Sequence, residues 1–164
     1  MTELNFKRVL AFMKNHPWLS AIAVISGKAI TISVYVFYPL FLLYLYLTDY
    51  SGILRVISVP AISLIIVSVV RKIVNAPRPY EKYDITPLYN KKTKGNSFPS
   101  RHTFSVFIIA FAAGYVYWPL GTAIFVLGVL LAATRVLCGV HFIKDVLSGF
   151  ISALIFGILG FVIL

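Results

Sequence analysis

Residues 19–47, 53–74, 102–118, 120–138 and 145–164 form five apolar stretches that take up most of a 164-residue chain. Crossing the hydrocarbon core of a bilayer as a helix takes about 20 such residues, because each adds only about 1.5 Å of rise. Backbone polar groups inside lipid must also be satisfied within their own segment, which favours helices. The chain is 60% hydrophobic and 12% charged, more apolar than a soluble domain of this size needs. These facts predict an all-α, polytopic transmembrane helical bundle of about five spans, a single membrane-embedded domain over residues 1–164. The first stretch is too long for a cleaved leader and has no small-residue cleavage site. It reads as a span that tilts or kinks, with Pro39 as the kink point.

Ahead of it, residues 3–15 place Phe6, Val9, Leu10, Phe12 and Met13 broadly on one side of a helix. Lys7, Arg8 and Lys14 lie on the other side and Leu4 off the apolar one, the pattern of an amphipathic helix at a membrane surface. His16 and Pro17 end it, with His16 an interfacial residue without chemistry. Lys28, the lone charge in the first span, is read as snorkelling to an interface. Cys138 is the only cysteine, which excludes an intrachain disulfide and a thiol-only metal cage.

The net charge of +10 does not mark a nucleic-acid partner, since the charges cluster in loops and at span ends. That distribution suits anionic headgroups or a phosphorylated substrate. The one long polar segment, 75–100, holds Arg78 between Pro77 and Pro79 and ends in SFPS just before Arg101 and His102. Lys91, Lys92 and Lys94 read as a solvated or headgroup-facing run, and Tyr80, Tyr83 and Tyr89 as interface anchors. Glu81 and Asp84 match no common metal-ligand spacing.

Consecutive spans alternate in direction, so the end of the second, the start of the third, the end of the fourth and the start of the fifth share one membrane face. Arg71, Lys72, Arg78, Ser100, Arg101, His102, Arg135, His141 and Asp145 all fall there, whereas the opposite face has chiefly Asp49 and Arg55. His141 and Asp145 are four apart and share one side of a helix. A carboxylate on one ring nitrogen fixes the tautomer and leaves the other free to attack, while His102 can protonate a leaving oxygen. Arginines match phosphate oxygens in bidentate fashion, and Ser100 adds a donor at a helix N-terminus. The implied chemistry is phosphoryl transfer to histidine followed by hydrolysis. Asp145 alone also reads as a helix cap.

Three ordered blocks carry a family resemblance: RKIVNAPRP from Arg71 to Pro79, PSRH from Pro99 to His102, and TRVLCGVHFIKD from Thr134 to Asp145. Together they resemble the type 2 phosphatidic acid phosphatases, membrane lipid phosphatases related to vanadium haloperoxidases and glucose 6-phosphatase. The resemblance covers about residues 50–164. It implies that His141 accepts phosphate, that Asp145 orients it and that His102 is the proton donor. Arg78, Arg135, Ser100 and a cation at position 71 would hold the phosphate. Arg71 stands where the family has lysine, and Lys72 next door could rotate in instead. Thr134 replaces a serine and keeps the hydroxyl. Arg101 replaces a glycine; its amide still donates, while its side chain adds a cation or narrows the pocket. The family has six spans, one more than the apolar stretches counted here.

The expected substrate is a lipid phosphate or diphosphate: phosphatidic acid, phosphatidylglycerol phosphate or undecaprenyl diphosphate. No cofactor or metal is expected, and the partners are that lipid and the surrounding membrane, without nucleic acid. The competing class is a transporter or channel, whose charges would run through both halves of the bilayer. The resemblance implies a bacterial plasma-membrane protein with an extracytoplasmic site, whereas the lysines of the same face favour the cytoplasm.

Overall fold

A computed structural model describes residues 3–83, 85–89 and 93–163. Asp84, Lys91 and Lys92 therefore lie outside the described residues. The elements are α1 (Glu3–Asn15), α2 (Pro17–Leu47), α3 (Ile53–Val74), α4 (Pro79–Lys82), α5 (Arg101–Val116), α6 (Trp118–Leu137) and α7 (Ile143–Ile158). A π-helical turn, Leu159–Ile163, extends α7. Pro17 and Pro119 start α2 and α6, where a missing N–H costs nothing. Asn75, left-handed at φ 40°, ends α3 and turns the chain toward Pro77.

Among the described residues four helices, beginning at Pro17, Ile53, Trp118 and Ile143, are long and apolar enough to cross a membrane. The third expected span, 102–118, is instead the 16-residue α5. Its rise is about 24 Å, short of the ~30 Å hydrocarbon core. It needs no more length, because it is the helix the others surround. Residues Thr103 to Ala110, Ala112 and Ala113 are all buried. α2, α3, α6 and α7 pack against it, leaving outward faces such as Ile25, Leu54, Ile65 and Leu130 exposed to lipid. α2 is one continuous helix of 31 residues with Pro39 inside it, so the over-long first stretch forms a single helix.

Packing rather than hydrophobic transfer holds helices together in lipid, which makes small residues and aromatic contacts decisive. Phe107 meets Phe125 and Phe150 with ring centroids 5.0 and 4.8 Å away. Gly149 on α7 lets that helix touch the start of α5. A Cβ there would come within 2.7 Å of the Ser100 carbonyl and 3.3 Å of the Phe104 nitrogen.

α1 spends its apolar stripe on the protein. Phe6, Leu10 and Met13 are buried, whereas Phe12, expected on the same side, is 54% exposed and lies against His16. Phe6 packs edge-on against Phe142, 5.7 Å between centroids, and Leu10 lies under Gly139. The helix thus braces the chain on both sides of His141.

Gly149→Ala should cost about 1–3 kcal/mol of stability, because the atoms it meets are backbone and cannot yield. Gly114→Ala should be nearly neutral, since its Cβ would meet only Gly121 Cα at 3.5 Å. Unfolding of both variants in detergent micelles checks the contrast; equal stabilities would refute the close approach of α5 and α7.

Candidate active site

His141 sits in the tight connection between α6 and α7. Its N–H and that of Val140 both donate to the Arg135 carbonyl (3.2 and 3.1 Å), wrapping the end of α6. Gly139 makes the wrap possible with φ of 73°, a region side chains avoid. The imidazole is 1% exposed, with Nδ1 3.5 Å from Asp145 Oδ2 and 3.3 Å from Ser97 Oγ. Ser97 in turn donates to Asp145 Oδ2 at 2.5 Å, and the Phe142 N–H donates to the same oxygen at 3.0 Å. Asp145 therefore caps α7 and holds the histidine at once; the two readings from sequence are one arrangement.

The pattern assigns the ring protons. An ionised carboxylate has none to give, and the Ser97 hydroxyl has committed its own to Asp145. Both groups facing Nδ1 accept, so Nδ1 carries the hydrogen and Nε2 holds the lone pair. Burial pushes the His141 pKa down to about 4, with the Arg78 and Arg71 charges acting in the same direction and Asp145 opposing them. At neutral pH the ring is uncharged.

The arginines are fixed by protein oxygens. Arg78, 4% exposed, donates from Nε to the Gly95 carbonyl at 3.1 Å and from Nη1 to the Val140 carbonyl at 3.5 Å. Glu81 holds that frame, accepting from the Arg78 N–H (2.8 Å) and the Gly95 N–H (2.9 Å). Arg71 donates to the Pro99 carbonyl at 2.8 Å, whereas Lys72 is exposed on another side of α3. Arg135 donates to Thr31 Oγ1 at 2.7 Å and lies 5.3 Å over the Tyr89 ring. Its Nε is buried with no hydrogen-bond partner among the described residues. Tyr89 is no interface anchor: it is buried, and its hydroxyl donates to the Val24 carbonyl. Tyr83 packs edge-on against Phe142, and the Tyr80 hydroxyl donates to the Thr93 carbonyl.

Ser100 begins α5, and its N–H donates to the Asp145 carbonyl at 2.9 Å, tying α5 to α7. Its hydroxyl meets that of Thr103 at 3.0 Å. Thr134 gives its hydroxyl to the Leu131 carbonyl. Arg101 and His102 occupy the first turn of α5. His102 is half-buried, its ring parallel to that of Tyr35 at 6.4 Å. Arg101 is exposed and within the electrostatic reach of Arg71. Cys138 is buried and its thiol pushed up to about 11 by burial, so it stays protonated at neutral pH.

Six of the nine residues picked from sequence thus gather around one point: His141, Asp145, Arg71, Arg78, Ser100 and Arg135. Arg101 and His102 border it, and Lys72 turns away. Ser97, Thr31 and Tyr35 escaped the sequence reading, while Glu81 was weighed there only as a metal ligand and Tyr89 only as an interface anchor. Only the SFPS run ahead of Arg101 held a signal for Ser97.

The PAP2 superfamily model matches residues 52–164. The crystal structure of Aquifex aeolicus LpxE is similar, with a TM-score of 0.74 and 25% identity over 94% of this chain and 91% of that one. The PAP2 type phosphatidylglycerolphosphate phosphatase from Bacillus subtilis shares the fold, with a TM-score of 0.64 and 21% identity over 95% and 90%. No curated protein matches the sequence.

Ser97→Ala strips a donor from a buried carboxylate and should cost about 1.5–3 kcal/mol of stability, the range for a hydrogen bond to a charged group. In an Asp145→Asn background the same change should cost less, because the two side chains act as a pair. Chemical unfolding in micelles reads both, and fully additive losses would contradict the coupling.

Proposed function

The chain belongs to the PAP2 superfamily, and on that premise we propose that it is an integral membrane phosphatase cleaving a lipid phosphate or diphosphate through a phosphohistidine. One observation carries the reading. A buried, neutral histidine has one nitrogen committed to a carboxylate and the other free, between arginines whose guanidinium groups are already oriented.

In this reading His141 Nε2 attacks phosphorus as the bond to the lipid oxygen breaks. His102, at the start of α5, gives its proton to that oxygen. The imidazolium formed on His141 is stabilised by Asp145, which stays ionised. Water, deprotonated by His102, then releases inorganic phosphate and restores the histidine. Arg71, Arg78 and Arg135 hold the oxygens on which charge develops; anchored to Pro99, Gly95 and Thr31, they need little reorganisation during the reaction. Arginine supplies the positive charge, so the proposed reaction uses no metal. A transport path gains no support, because the buried charges sit at one end of α3, α6 and α7.

Purified protein should release phosphate from a lipid phosphate in the presence of a chelator. His141→Ala should abolish release from every substrate. His102→Ala should lose about 10²–10⁴-fold on lipids yet keep part of its rate on an activated aryl phosphate, whose leaving group needs no proton. Equal losses on both substrates would refute the division of roles.

The depressed pKa also fixes the sign of the pH response. His141 must be neutral to attack, so activity is present above its pKa and falls as pH drops through it. The acid limb of kcat/KM should therefore lie near pH 4, well below the ordinary histidine value of about 6.5. A limb at the ordinary value would contradict the burial argument.

A further inference from the structure

Beside the site, α2, α3 and α5 part to leave an apolar groove of about 580 Å³, walled by residues such as Leu42, Ile57, Leu64 and Ile108. Two of its lining residues lead to the catalytic end. Tyr35 stacks on His102, and Arg101 stands within the field of Arg71. The groove therefore borders His102 through Tyr35 and the arginine cluster through Arg101.

Arg101 differs from the other site arginines in one respect. Arg71, Arg78 and Arg135 each donate to a fixed protein oxygen. The Arg101 side chain makes no hydrogen bond or ion pair among the described residues, and it is exposed. It both lines the groove that suits a hydrocarbon chain and acts on Arg71, one of the arginines that suit the scissile phosphate. A second anionic group joining tail to scissile phosphate would fall opposite it. A substrate with one phosphate ester offers nothing there to pair with that charge.

Resting on the phosphatase reading above, the geometry points to Arg101 as a specificity residue that selects lipid diphosphates, holding the inner phosphate while the tail occupies the α2–α3–α5 groove. The His141 Nε2–phosphorus bond forms as the bond from the outer phosphorus to the bridging oxygen breaks. The electron pair stays on that oxygen, which leaves as part of the lipid monophosphate and takes the proton of His102. Arg101 balances the charge of this leaving group. Water then cleaves the phosphohistidine, giving inorganic phosphate.

The test compares kcat/KM for phosphate release from a polyprenyl diphosphate and a polyprenyl monophosphate of the same chain length. The wild-type protein should prefer the diphosphate. Arg101→Ala should lower the diphosphate-to-monophosphate ratio about 10- to 100-fold, the effect of losing a charge-assisted hydrogen bond. Arg101→Lys, which keeps the charge without the fork, should retain part of the ratio. A ratio unchanged in Arg101→Ala would overturn the assignment, as would a wild-type preference for the monophosphate, and both would leave the phosphatase reading standing. Release from neither lipid by the wild-type protein would overturn both.

Discussion

The Asp145 carboxylate is fully buried and accepts hydrogen from Ser97 and from the Phe142 amide while facing His141, and the Asp145 carbonyl accepts from Ser100. One residue thereby joins the 95–100 segment, the start of α5, the α6–α7 connection and the first turn of α7. An isolated charge in such surroundings would cost several kcal/mol, and it is tolerated because donors converge on it. Those same donors decide the tautomer of His141. The polar end of the bundle and the chemistry of the histidine thus rest on a common set of contacts.

Around that carboxylate the charge balance is lopsided. Arg71, Arg78 and Arg135 are half-buried or buried, with Arg101 at the border, and among the described residues only Asp145 and Glu81 oppose them. Cations this close raise one another's energy, and protein carbonyls, hydroxyls and a tyrosine ring offset only part of it. A dianionic group entering among them relieves the repulsion.

Depth in the membrane follows from the same arrangement. α5 starts at Ser100 because its first turn must meet Asp145, and it ends after 16 residues because Tyr117 and Trp118-Pro119 begin the return. Its neighbours shield its sides, so its short length exposes no polar backbone to lipid along the buried run. α1 completes the assembly by bracing Phe142 and Gly139, the residues on either side of the 140–141 pair.

Apolar length was legible in the sequence because a bilayer sets it directly, and the His141–Asp145 pair because four residues along a helix always share a side. Six of the nine candidates named from the three blocks lie together in the structure, since each block is local and span order alone sets the face. The structure decided what local spacing does not encode. Arg71 and Lys72 look alike in sequence, and only the phase of α3 turns one toward Pro99 and the other outward. Ser97 is 48 residues from Asp145 and Thr31 is 104 from Arg135, so no spacing rule links them. The short α5 was read as a full span because apolar count reports what lipid would tolerate, not which helix is surrounded by others. Residue order set which side chains reach one face; packing between distant segments chose which of them meet there.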